Sequence, residues 1–170
     1  MFELGGVSLK KILIVSTAII FLAIMGNVIH AAYEENLARQ EENAAKNKLL
    51  EWLYAVEPES IEEWGAQDTR IGEDPKDFIR LELKEEQKQQ FCQVLKTISA
   101  EEVVLGPGSP QGMDLDIWFY CSDPGNWCFR YEEPTVYVYG VPTPLSDEVG
   151  RWPWEIRNEK LNEFLSGLLE

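Results

Sequence analysis

The sequence predicts an α+β domain, an antiparallel sheet with helices packed on one face, behind an N-terminal transmembrane or signal helix. Three observations carry this. An uncharged apolar run, Ile12 to Ile29, stands apart from a charged remainder. Two segments, Lys84–Ser99 and Asn158–Leu169, place apolar residues at helical spacing. Between them, short alternating segments follow one another with turn residues at their joints, which is the pattern of hairpin-connected strands.

The chain has 170 residues, of which 45% are hydrophobic and 26% charged, a composition that excludes a disordered polymer. Its net charge is −15. Residues 1–32 hold only Glu3, Lys10 and Lys11, so the part after them carries −16. Such a surface repels phosphate backbones and argues against a nucleic-acid partner. Residues 33–170 suffice for one domain with its own core.

Residues 1–11 end in Lys10-Lys11, and the apolar run 12–29 follows. Its length fits an uncleaved anchor, which needs about 20 apolar residues. Gly26-Asn27 could also end a shorter signal-peptide core, with Ile29-His30-Ala31 as a cleavage signal. Both readings give the same side. Positive residues stay cytoplasmic, so the C-terminal domain is expected outside, either on a single-pass membrane anchor or secreted after cleavage near Ala31.

Residues 33–56 read as a charged helical stalk, with Leu49, Leu50, Trp52, Leu53 and Val56 as an apolar patch at its end. The remaining domain spans 57–170. Ser60-Ile-Glu-Glu63 has capping-box spacing and predicts a short helix that carries Ile61 and Trp64 inward, followed by a loop from Gly65 to Asp77. Ile79, Leu81 and Leu83 alternate as a strand. Lys84–Ser99 is a helix lined by Phe91, Val94, Leu95 and Ile98. Glu102–Leu105 is a short strand, and Gly106–Gly112 a loop. Met113–Cys121 alternates, with Leu115, Ile117, Phe119 and Cys121 on one side and Asp114, Asp116, Trp118 and Tyr120 on the other. Ser122–Asn126 is a turn, Trp127–Glu132 the returning strand, Thr135–Tyr139 a third, and Arg151–Ile156 a further strand. Asn158 caps the last helix, whose Leu161, Phe164, Leu165, Leu168 and Leu169 form an apolar face.

With Pro124-Gly125 as the two central turn residues, Cys121 lies opposite Cys128, a candidate disulfide in an exported domain. The same register puts Trp118, Tyr120, Trp127, Phe129 and Tyr131 on one face. That face is a candidate stacking surface for sugar rings or a peptide, with Asp114 and Asp116 as hydrogen-bond acceptors. Asp114 and Asp116, two positions apart on one strand, could also act as a carboxylate pair in hydrolysis. Cys92, beside Phe91, reads as a small core residue. The domain after residue 32 has no histidine, which disfavours a Ser-His-Asp or Cys-His site and a metal centre, and no nucleotide or cofactor motif is present.

Lys10-Lys11 with Ile12–Ile29, the Lys84–Ser99 helix, and Trp154-Glu-Ile-Arg-Asn158 running into Leu161–Leu169 give the chain a layout that resembles small membrane-anchored or secreted Gram-positive proteins of unknown function. The resemblance is one of architecture and carries no catalytic residues. The expectation is a domain that works by binding a protein or a cell-wall glycan rather than by catalysis. A carbohydrate-binding module on the Trp118 face and a hydrolase built on Asp114 and Asp116 are the two alternatives. No cofactor is expected.

Overall fold

The computed structural model describes residues 9–70, 77–106, 114–122, 125–142 and 154–170. The chain divides into two compact units, Met1–Glu42 and Asn43–Glu170, and helix α1 (Leu9–Tyr54) contributes to both. In the first unit α1 exposes Leu13, Ile14, Phe21, Leu22 and Ile29 to its surroundings. By length and composition this stretch can cross a membrane. Apolar side chains left bare along several turns find a favourable environment in lipid, not in water. Beyond them the surface turns polar, with His30 near Glu34 and an ion pair from Arg39 to Glu35.

The second unit is an α+β domain. It contains strands β1 (Ile61–Asp68), β2 (Ile79–Leu81), β3 (Val103–Leu105), β4 (Leu115–Cys121), β5 (Asn126–Glu132), β6 (Thr135–Gly140) and β7 (Trp154–Ile156), with helices α2 (Glu85–Leu95) and α3 (Glu159–Gly167). The sheet order is β2-β1-β4-β5-β6-β7-β3, and every neighbouring pair is antiparallel. The pieces 71–76, 107–113 and 143–153, where several predicted loops and the start of the Arg151–Ile156 strand fall, lie outside the described residues.

One face of the sheet is the core. Leu115, Ile117, Phe119 and Cys121 of β4 join Trp127, Phe129 and Tyr131 of β5, Val136 and Val138 of β6, Trp154 and Ile156 of β7, and Val103 of β3. Leu49, Leu50 and Leu53 of α1, Phe91 and Leu95 of α2, and Leu161, Phe164 and Leu165 of α3 complete the same buried cluster. Phe91 is its hub. Its ring centroid lies 5.7 Å from both Phe119 and Phe129, edge-on, and 5.6 Å from Phe164. These offset and edge-to-face arrangements suit the ring quadrupoles. Tyr54 at the end of α1 donates its hydroxyl to the Ile98 carbonyl, which ties α1 to the segment after α2.

Helix α3 is short and forms because both ends of its problem are solved. Asn158 accepts a hydrogen bond from the Leu161 N–H at 2.9 Å, the expected N-cap, and Leu161, Phe164 and Leu165 are buried. The Asn158 amide also donates to Glu102, whose carboxylate accepts from the Ser99 N–H and Oγ. The cap thereby links α3 to the turn that leads into β3.

Two local expectations are corrected. The Ser60–Glu63 segment is not a helix, because Ile61–Asp68 is strand β1, paired with β4 along its length. The Ser60 hydroxyl donates to the Glu57 carbonyl and lies 3.7 Å from the Cys121 sulfur, so it does not cap Glu63. A capping box contributes about 1 kcal/mol, which the ladder and the burial of Ile61 and Ala66 outweigh. The predicted loop from Gly65 therefore begins only after β1.

The second correction is the β4–β5 register. Trp118 pairs with Cys128, Ile117 with Phe129 and Phe119 with Trp127. Cys121 closes the hairpin by donating its N–H to the Gly125 carbonyl at 3.1 Å, and Gly125 has φ of 125°, a conformation that favours glycine. The register is offset by three positions from the expected one. An odd offset turns one strand over, so Cys128 lies on the opposite face from Cys121 and all three cysteines are free thiols. The physical reason is burial. The observed register gathers Trp127, Phe129 and Tyr131 with Ile117 and Phe119, whereas the expected one would have set Arg130 and Glu132 among the core residues.

Candidate functional site

The second face of the sheet is built from the alternate positions. Across its width the paired residues are Arg80, Gln67, Asp116, Arg130, Tyr137, Glu155 and Val104, one from each strand. A second row holds Gly65, Trp118, Cys128 and Gly140, and a third pairs Glu63 with Tyr120 and Asn126. The described apolar residues of α2 and α3 and of the end of α1 all join the cluster on the other face.

Trp118 sits directly over Gly65. A Cβ at Gly65 would stand 2.5 Å from Cζ2 and 2.8 Å from Cε2 of the indole, so the ring packs across the bare backbone of β1. Only glycine admits this, and the tryptophan in turn covers a strand position with no side chain of its own. Trp118 is half-buried, while Tyr120 and Tyr139 are 39% and 44% exposed. Tyr139 is held from beneath: the Arg130 guanidinium lies 4.0 Å from its ring centroid, and Arg130 Nε donates to Asp116 Oδ1 at 3.2 Å. Glu155 is buried on the same face and receives Arg157 at 2.8 Å. Burial, followed by the charges of Glu155 and Glu132, raises the pKa of the Tyr137 hydroxyl, so Tyr137 stays a neutral donor.

The residues singled out in the sequence separate into three places. Trp118, Tyr120 and Asp116 share the second face. Trp127 and Tyr131 are 1% exposed and belong to the core, so the five-residue aromatic face does not exist as one surface. Asp114 stands just before β4, where its Oδ2 accepts from the Glu133 N–H at 3.1 Å. It lines a cleft of about 260 Å³ with Arg70, Tyr131, Glu133 and Ser166. The two aspartates have different partners: Asp116 is ion-paired with Arg130 on the sheet, and Asp114 is bonded to backbone at the cleft. Among the described residues no group of three or more His, Cys, Asp or Glu could hold a metal ion.

Four contributors to this face were not assigned to it from the sequence: Gly65, Arg130, Tyr137 and Tyr139. The signal for the tyrosines was present. Val136-Tyr-Val-Tyr139 alternates as strictly as β4 does, and valines facing inward send both tyrosines outward. Gly65 and Arg130 had no such signal, because their roles depend on which strand lies beside them.

No protein-family model, no curated protein and no solved structure matches this chain.

Proposed function

We propose that this chain is a membrane-anchored, extracytoplasmic binding domain that takes a neutral glycan on the face carrying Trp118, Tyr120 and Tyr139. The observation that carries the reading is the Trp118 indole laid across Gly65 and left half-buried beside the exposed Tyr120. A ring so placed offers a flat apolar platform at little conformational cost, and the C–H face of a sugar ring is its natural complement. Gln67 and Tyr137 beside it supply hydroxyl-matching donors and acceptors. The domain's net charge disfavours anionic wall polymers and leaves uncharged or amino sugars as the matching class. Two buried acids of the face are engaged, Asp116 by Arg130 and Glu155 by Arg157, which supports binding over hydrolysis.

Co-sedimentation of the purified chain with cell-wall peptidoglycan stripped of its anionic polymers tests this. Wild type should sediment, and Trp118→Ala should lose most of that binding while keeping a native circular dichroism spectrum. Equal sedimentation of the two proteins, or none by wild type, overturns the reading. Location is tested separately. The charge difference between Lys10-Lys11 and the acidic residues after Ala32 supports an exterior domain. A reporter that functions only in the cytoplasm, fused after Glu170, should be silent, and an active reporter would reverse the topology.

A further inference from the structure

Trp118 and Tyr139 belong to one cross-strand row of the second face but to different strands. Trp118 of β4 pairs with Cys128 of β5, and Cys128 with Gly140 of β6. The next pair is Phe129 with Val138, so Tyr139 is the extra residue of a bulge opposite Cys128. Gly140 permits the close approach of β6 at that bulge, since a Cβ there would stand 2.8 Å from the Cys128 Cβ. The Trp118 and Tyr139 backbones are thereby held two strand spacings apart, about 9–10 Å. In that row the short Cys128 side chain lies between them. The indole does not close the gap, because it lies over Gly65 of β1, and the Tyr139 ring meets Arg130 of β5. The separation exceeds the width of one sugar ring.

We propose that Tyr139 is a second sugar platform, that Asp116 and Arg130 are its positioning residues, and that the ligand is an oligosaccharide long enough to reach from Trp118 to Tyr139. This rests on the glycan reading above and adds ligand length to it. Arg130 is the support: its guanidinium carbon lies 4.0 Å from the Tyr139 ring centroid, and its Nε donates to Asp116 Oδ1 at 3.2 Å. The Arg130 and Asp116 side chains are 25% and 12% exposed, so salt screens their attraction less than that of a surface pair. Asp116 fixes the guanidinium and the guanidinium fixes the ring, so neither residue has to touch the sugar. A ring ordered before the ligand arrives binds at a lower entropic cost. In a β-1,4-linked chain alternate sugars present the same ring face, at a repeat close to two strand spacings. Trp118 and Tyr139 therefore suit the first and third sugars of a run laid across β4, β5 and β6.

The test titrates the full chain in detergent with β-1,4-linked N-acetylglucosamine and its oligomers, read by calorimetry. Affinity should rise about tenfold from the single sugar to the trimer, the worth of one added aromatic contact. Tyr139→Ala should abolish that rise, and Tyr139→Phe, which keeps the ring, should recover it. The double variant Asp116→Asn/Arg130→Gln leaves no unpaired charge on the face. It should lose the rise as Tyr139→Ala does, and should have no further effect in a Tyr139→Ala background, a coupling that a general loss of stability does not produce. If no sugar binds, or if Trp118→Ala binds as wild type does, the glycan reading falls and the second platform with it. If binding needs Trp118 but monomer and trimer bind alike, or Tyr139→Ala keeps the rise, the second platform alone falls. If Tyr139→Ala loses the rise and Asp116→Asn/Arg130→Gln keeps it, the positioning role is refuted.

Discussion

The two faces of the sheet are made from alternate residues of the same strands, yet they hold their aromatic rings by opposite means. On the core face, Phe119, Trp127 and Phe129 stack on one another at centroid spacings of 5.8–6.1 Å, and Phe91 closes over them edge-on. Each ring there is fixed by other rings and sees no solvent. On the second face the rings meet backbone and charge instead of other rings. Trp118 rests on the Gly65 backbone, and Tyr139 rests on the Arg130–Asp116 ion pair. Under the proposed binding role, stability belongs to one face and recognition to the other, and substitutions on each face should separate them.

The largest expected effect lies on the core face. Phe91→Ala removes a fully buried ring that meets Trp64, Phe119, Phe129 and Phe164. Its loss should cost about 3–5 kcal/mol, read in a denaturant melt, with glycan binding retained wherever the protein remains folded. A loss below about 1 kcal/mol would mean that Phe91 is not the hub of the core.

A smaller effect is expected across the sheet. Gly65→Ala drives a methyl group into the Trp118 indole and should cost about 1–3 kcal/mol by crowding. In a Trp118→Ala background the same change should become nearly neutral, because the clash has gone. A double-mutant cycle measures that coupling, and purely additive losses would show that Trp118 does not lie on Gly65.

The smallest effect is electrostatic and belongs to the sheet's margins. The side-chain hydrogen bond from Arg70 holds the Asp68 carboxyl below the usual carboxylate range, against the opposing effect of its burial. Burial works to raise Glu102, but the hydrogen bonds from Ser99 and Asn158 prevail and hold it low. Groups with lowered folded pKa values add stability that is complete above their unfolded values near pH 4 and is lost as the pH falls through the folded ones. Melting temperature should therefore decline on acidification below about pH 4, and Glu102→Gln should make that decline shallower. An unchanged acid profile in Glu102→Gln would remove Glu102 from the linkage between α3 and β3.

Some of this architecture was legible before any coordinates. The apolar stripe and Asn158 cap of α3 were readable because they are local: a helix start needs one acceptor three residues before the N–H that it satisfies. The inward and outward sets of β4 were readable for the same reason, since alternation belongs to a single strand. Trp118, Tyr120 and Asp116 were accordingly placed together. Trp127 and Tyr131 were misplaced because their face depends on the loop that joins β5 to β4, and a change of one residue in such a loop reverses every side chain beyond it. The capping-box signature at Ser60 misled in a related way, since it names a local alternative to which β4 offered a better partner.

What the sequence determined alone is therefore the set of properties each segment carries by itself: the uncharged N-terminal helix, the amphipathic faces of α2 and α3, the alternation of β4 and β6, and the acidic surface. Tertiary structure decided which faces met. It chose the register that sets Cys121 and Cys128 on opposite faces, drew Ile61–Asp68 into the sheet, and brought β3 beside β7 at the far edge. The physical reason is one of scale. Local preferences amount to about 1 kcal/mol per signal, whereas burying one large side chain yields about 1.5–3 kcal/mol, so wherever the two conflict the arrangement that encloses the most apolar surface around Phe91 prevails.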